Sequence, residues 1–88
     1  MNFKAFTEYV KEHILEVMDC NKEDYDLYTN QVVKNNGVEL TALQIVQKGD
    51  NCTPSIYLEP YYKEYLNGCA IEELLEEMAL IKFCHFFQ

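Results

Sequence analysis

Arginine is missing from this chain altogether. Its seven cationic side chains are all lysines, set against fifteen carboxylates for a formal charge of -8. Arginine is the usual instrument for bidentate contact with phosphate and guanine, and an acidic surface repels polyanions. Nucleic acid and anionic membranes are therefore not expected partners. No apolar run approaches the roughly 20 residues of a membrane-crossing helix. Met1-Asn2-Phe3-Lys4 leads directly into a helical pattern, without the apolar region of a secretory signal, so a cytoplasmic location is expected. Cys-x-x-Cys is missing too. Cys20, Cys52, Cys69 and Cys84 are widely spaced, and reduced thiols acting as small apolar residues are expected. A zinc site usually shows short paired spacing. A Gly-rich phosphate loop, a nucleophile elbow and a metal motif are all absent from the sequence. No catalytic residue, metal or other cofactor is assigned.

What is present is apolar surface. Hydrophobic residues make up 49% of the 88 residues and aromatics 14%, enough to build one domain over residues 1–88. The centre of the pattern is residues 25–58, three strand-like stretches in a row. Residues 25–34 are rich in β-branched and aromatic side chains. Asn35-Asn36-Gly37 follows, residues that tolerate the positive φ of a tight hairpin turn. The second strand runs from residue 38 to about 47. Val38 and Leu40 share one parity, Leu43 and Ile45 the other, and a β-bulge near Thr41-Ala42 would bring all four to one side. Two half-buried faces are the other reading. The third strand covers residues 52–58, with Pro54 suited to its start or to an edge.

Helices flank this centre. Phe3, Phe6, Val10, Ile14 and Val17 recur at steps of three and four, which predicts a helix over residues 3 to about 20 with Asn2 as its N-cap. Residues 59–66 predict a short helix with Pro60 in its first turn and Asn67-Gly68 as its stop. A last helix begins near Ala70, with Ile71, Leu74, Leu75, Met78 and Ile81 inward. Glu72, Glu73, Glu76 and Glu77 crowd its outer side, where the positive end of the helix dipole favours acid. The expected architecture is α+β: helix, three-stranded antiparallel meander, short helix, C-terminal helix, with the helices on one face of the sheet. The expected core is Phe6, Val10, Ile14, Val17, Leu40, Leu43, Ile45, Ile56, Leu58, Leu74, Met78 and Ile81.

Two stretches carry more apolar surface than that plan needs. Tyr61, Tyr62 and Tyr65 fall together on the short helix, either packing over the sheet or forming a contact patch. From Ala79 to Phe87 apolar side chains face nearly every direction, and Phe83, Phe86 and Phe87 ask for cover that one small domain does not supply. These six aromatics are the candidate protein-contact residues.

Several stretches together resemble a known family. Asn2-Phe3-Lys4, Phe6-Thr7-Glu8-Tyr9-Val10-Lys11, Val33-Lys34-Asn35-Asn36-Gly37-Val38, Leu40-Thr41, Pro54, Ile56-Tyr57-Leu58-Glu59 and Ile71-Glu72-Glu73 are similar to the N-terminal region of a domain-of-unknown-function family from anaerobic Gram-positive bacteria. The resemblance runs from residue 2 to about residue 79, and its most specific parts are the Asn-Asn-Gly turn and the Ile-Tyr-Leu-Glu stretch. It implies that the chain is the first module of a longer architecture, with a tail that departs from the pattern at about Leu80. The family carries no established activity, so the resemblance assigns no catalytic residue.

Three functions fit these residues. The first is a non-enzymatic protein-interaction module that self-associates through its C-terminal aromatic region. The second is a fragment or module of an enzyme whose chemistry draws on His13 or His85 with one of the four cysteines. The third is an acidic mimic that occupies a basic protein. The expected partner is a protein or a second copy of the chain.

Overall fold

Asn35-Asn36-Gly37 folds the chain back on itself as its composition demands. Gly37 sits at φ 85°, a conformation cheap only for glycine, and its N–H donates to Lys34 O at 2.9 Å. Val38 N–H donates to Asn36 Oδ1 at 3.1 Å, so the asparagine side chain holds the turn from within. The computed structural model describes residues 1–49 and 55–83, the last three of these by backbone alone.

The turn joins β1 (Tyr25–Val33) to β2 (Glu39–Gln47) in an antiparallel pair. The register runs unbroken from Tyr25 opposite Gln47 to Val33 opposite Glu39. A short β3 (Ile56–Tyr57) pairs on the other side of β2, with Ile56 opposite Leu43 and Tyr57 opposite Ala42. The order β1-β2-β3 is the expected meander. Residues 52–54 of the expected third strand lie outside the described residues.

There is no bulge at Thr41-Ala42. The parity slip has the other cause: Leu43 and Ile45 point to the helices, whereas Leu40 points to the opposite face and is only half-buried. Each side of β2 therefore has its own apolar residues.

Helix α1 (Phe3–Val17) starts where Asn2 Oδ1 accepts the Ala5 N–H at 2.8 Å. It stops with Asp19 in the left-handed region at φ 56°, while Cys20 N–H donates to Leu15 O and Asp19 N–H to Glu16 O. These are the two bonds of a Schellman motif. A 3₁₀ turn over Lys22–Asp24 leads into β1. Helix α2 (Glu59–Leu66) closes the same way, with Gly68 at φ 103° and Cys69 N–H on Glu64 O. Helix α3 (Ile71–Glu77) then widens into a π-helical segment over Met78–Phe83. The wider turns change which side chains face inward, and the neighbours Met78 and Ala79 are both buried. No described helix is long and apolar enough to cross a membrane.

The core forms where the helices meet one face of the sheet. Phe6, Val10, Ile14 and Leu15 of α1 pack with Leu43, Ile45, Ile56, Leu58, Tyr61, Leu74, Leu75 and Met78. A fully buried side chain of this size contributes about 1.5–3 kcal/mol by leaving water. Val17, expected inside, is 36% exposed because it falls in the last turn of α1. Leu15 is buried in its place, since α1 packs against α3 and the π-helical segment as well as the sheet. The side chain of Ile81 lies outside the described residues.

Candidate functional site

The tyrosines of α2 are held by the other end of the chain. An eight-residue helix places Tyr61, Tyr62 and Tyr65 on neighbouring faces. Tyr61 is buried in the core. Tyr62 stacks edge-on against Phe3, with ring centres 5.3 Å apart, and lies 5.2 Å from the Phe6 ring. Tyr65 lies 5.7 Å from Phe6. The phenol of Tyr62 donates to the Met1 carbonyl at 2.9 Å, and the N-terminal ammonium donates to Tyr65 Oη at 3.2 Å. Such ring pairs are worth about 0.5–1.5 kcal/mol each beyond area. Much of this surface is thus turned to fastening α2 onto the start of α1. Burial pushes the Tyr61 phenol above its ordinary value, and the carboxylates of Glu77 and Glu64 push the same way. Of the other candidate contact residues, Phe83 ends the π-helical segment, with its side chain outside the described residues. Phe86 and Phe87 lie outside them entirely.

The described thiols and imidazole are each engaged locally. Cys20 is half-buried and its Sγ donates to Met18 O at 3.6 Å. Cys69 Sγ lies 3.8 Å from Glu73 Oε2. Burial, and then the neighbouring Glu73 and Glu64 carboxylates, push the Cys69 thiol up, the opposite of an activated nucleophile. His13 Nδ1 is 3.2 Å from Glu16 Oε2 on the next turn of α1, and its ring lies 4.3 Å from that of Tyr9. The hydrogen bond from His13, helped by Lys22, holds the Glu16 carboxyl below its usual range. Cys52, Cys84 and His85 lie outside the described residues. No group of three or more His, Cys, Asp or Glu among the described residues is placed to hold a metal ion.

Clefts open at the surface between the described elements. One of about 470 Å³ lies beside β3 and α2, walled by Ile56, Tyr57, Pro60, Tyr61, Glu64 and Glu77. Another, about 230 Å³, lies between α1 and the sheet, where Lys4, Thr7 and Glu8 face Thr29, Gln31 and Thr41. Thr7 Oγ1 is buried without a hydrogen-bond partner among the described residues. The described lining of these clefts includes no cysteine or histidine.

The side of the sheet away from the helices differs in kind. It presents Tyr28, 50% exposed, with Val32, Leu40, Val46 and Tyr57 half-buried around it. Lys34 reaches across this side to Tyr57, donating to its Oη at 2.8 Å with Nζ 4.3 Å from the ring centre. Hydrogen bonding also fixes what the outer edge of β1 offers. Lys34 N–H donates to Val38 O, and Lys48 N–H to Asp24 O. Even-numbered residues of β1 therefore bond to β2, and odd-numbered residues turn their amides outward. Leu27, Thr29, Gln31 and Val33 do so with no backbone partner among the described residues. Residue types alone did not mark this edge; the alternation of bonds did.

Residues 3–83 match the sequence profile of DUF5688, a family of unknown function. The chain belongs to this family. No curated protein and no solved structure matches it.

Two of the stretches that carried the family resemblance, Leu40-Thr41 and Ile56-Tyr57-Leu58-Glu59, meet in space. Leu58 N–H donates to Thr41 O at 2.9 Å, continuing the β2–β3 ladder by one bond. The next acceptor is missing, because the chain turns into α2 at Glu59. Glu59 supplies it instead: the Thr41 N–H donates to its carboxylate oxygens at 2.6 and 2.9 Å. A charged acceptor on a part-buried amide is a strong bond, and an acid suits the first turn of a helix. The Ile-Tyr-Leu-Glu stretch of this DUF5688 chain is therefore a joint between sheet and helix. Glu59 in that role was missed from the sequence; an acid between a strand and Pro60 was the available signal.

Proposed function

We propose that this DUF5688 chain is a non-enzymatic protein-interaction module that associates with a second copy of itself in the cytoplasm. One observation carries the reading: the helices pack on one side of the sheet, and the other side leaves Tyr28, Val32, Leu40, Val46 and Tyr57 without a covering layer among the described residues. Apolar surface gathered in this way marks an interaction site more often than scattered exposed side chains do. The aromatic C-terminal stretch with Phe83, Phe86 and Phe87 supplies further apolar residues by composition. The charge of -8 without arginine favours a protein partner over a nucleic acid. Sedimentation equilibrium of the full chain tests the reading. The expected result is a mass of twice 10.4 kDa that dissociates on dilution. A single-chain mass at the highest attainable concentration overturns it.

A further inference from the structure

β1 has few of the devices that keep an edge strand from pairing; Asp26 is its one charged side chain. Its nine residues contain no proline and no lysine, and its register to β2 has no bulge. At about 3.3 Å per residue it offers a straight edge of roughly 30 Å. Its outward amides at Leu27, Thr29, Gln31 and Val33 have no backbone partner among the described residues. Resting on the self-association reading above, we propose that two copies join along this edge. The two β1 strands run antiparallel about a two-fold axis at Thr29, fusing two three-stranded sheets into one.

The axis follows from the alternation. Only residues with outward amides exchange bonds, so odd positions must face odd positions. Thr29 is the middle residue of Tyr25–Val33, and an axis there keeps the whole strand paired. Leu27 then faces the second copy's Gln31, and Thr29 faces its own equivalent. On the helix side, Val33, 64% exposed, gains the second copy's Tyr25 as a neighbour, a favourable aromatic and β-branched pair. On the bare side the same register brings Asp24 opposite the second copy's Lys34 at both ends of the interface. Lys34 bonds to Tyr57 across the sheet in the single chain, and it exchanges that bond for Asp24 of the second copy when the edges join. No like charges are set opposite one another anywhere along the paired strands. A two-fold, self-complementary contact also closes, so it yields a dimer and not a fibre.

Light scattering after size exclusion, run on the full chain and its variants with circular dichroism as the fold control, tests the proposal. Thr29→Pro removes the outward amide on the axis but no bond to β2. The expected result is a folded single chain where the wild type is a dimer. Should that variant fail to fold, Thr29→Lys, which sets two ammonium groups against each other on the axis, is expected to give the same monomer. Lys34→Asp is expected to weaken the dimer about tenfold, the scale of an exposed ion pair lost at each end. Adding Asp24→Lys is expected to restore most of it, which an axis elsewhere along the strand would not allow. A wild type that is monomeric at all concentrations overturns both this proposal and the self-association it rests on. A dimer that survives either folded Thr29 variant overturns the β1 edge alone and moves the contact to another surface.

Discussion

On the helix-facing side of β2, Leu43 and Ile45 have no exposed surface at all. On the other side of the same strand, Leu40 and Val46 are as apolar and remain half-buried. Sequence neighbours of one composition thus end in different surroundings, and the difference is set by what lies opposite. Phe6, Val10 and Ile14 stand over one side in the core. On the other, Leu40 and Val46 have Val32 and Asp26 beside them across the strand, and no core residue among the described residues stands over them. Apolar character places a residue on a face; the layers above the sheet decide what that face is worth.

The largest expected effect probes the covered side. Leu43→Ala removes a fully buried side chain amid α1, β3 and α3 residues, and about 3–4 kcal/mol of unfolding free energy is expected to go with it. Urea unfolding at one fixed protein concentration measures it, so that any dimer contributes equally. A loss under about 1 kcal/mol would place Leu43 outside a tightly packed core.

Next comes the joint at the border of that side. Glu59→Ala leaves the Thr41 amide without its acceptor in a part-buried position, and a loss of about 2 kcal/mol is expected. Glu59→Gln keeps an acceptor and is expected to cost less than half as much. Equal losses in the two variants would assign the effect to the helix-terminal charge and not to the hydrogen bond.

These residues also show how far the chain was legible from its letters. Asn35-Asn36-Gly37 was readable because the steric demand of the turn is local and the residues that meet it are few. The helices were readable from their stripes, and the class followed; consecutive hairpins favoured a meander without fixing the strand order, which the pairing of β2 with both neighbours settles. The parity slip between Leu40 and Leu43 was visible, but alternation counts faces without saying which face is covered. A bulge and two half-buried faces make the same pattern. The tyrosines of α2 stood out as a cluster, yet their main neighbours Phe3 and Phe6 lie more than fifty residues away. Glu59 reads as the start of a helix, and its bond to Thr41 depends on a strand pairing that no local pattern contains. The outward amides of β1 belong to the backbone, so side-chain identity carried no sign of them.

Leu40→Ala tests the bare side at its most apolar point. Half a leucine's burial is lost and no closed cavity forms, so about 1 kcal/mol is expected. A loss equal to that of Leu43→Ala would mean that both faces of β2 are packed alike and would erase the contrast between them.

A subtler difference appears in alkali. The folded protein holds Tyr61 protonated to higher pH than the unfolded chain does, because burial and then Glu77 and Glu64 disfavour the phenolate. The stability this phenol contributes is fully present below its ordinary value of 10.0 and is lost as pH climbs through the raised folded value. Unfolding measured near pH 9 and near pH 11 should therefore show a smaller alkaline loss for Tyr61→Phe than for the wild type. Identical losses would mean that Tyr61 titrates as it does in the unfolded chain.

Tyr28→Thr should matter least to folding. Half of the ring is in water, it stands across from Gln44, and threonine keeps the preference of a β-branched residue for a strand. A change within about 0.5 kcal/mol is expected. Combined with Leu40→Ala, two positions along the sheet, the effects should add to within about 0.5 kcal/mol. Larger coupling would show that Tyr28, Val32 and Leu40 already form a cooperative cluster within one chain. The bare side would then be a second small core, and the apolar surface offered to a partner would shrink to the β1 edge. Additivity, in contrast, leaves each side chain answering to water alone, the condition in which a second copy has most to cover.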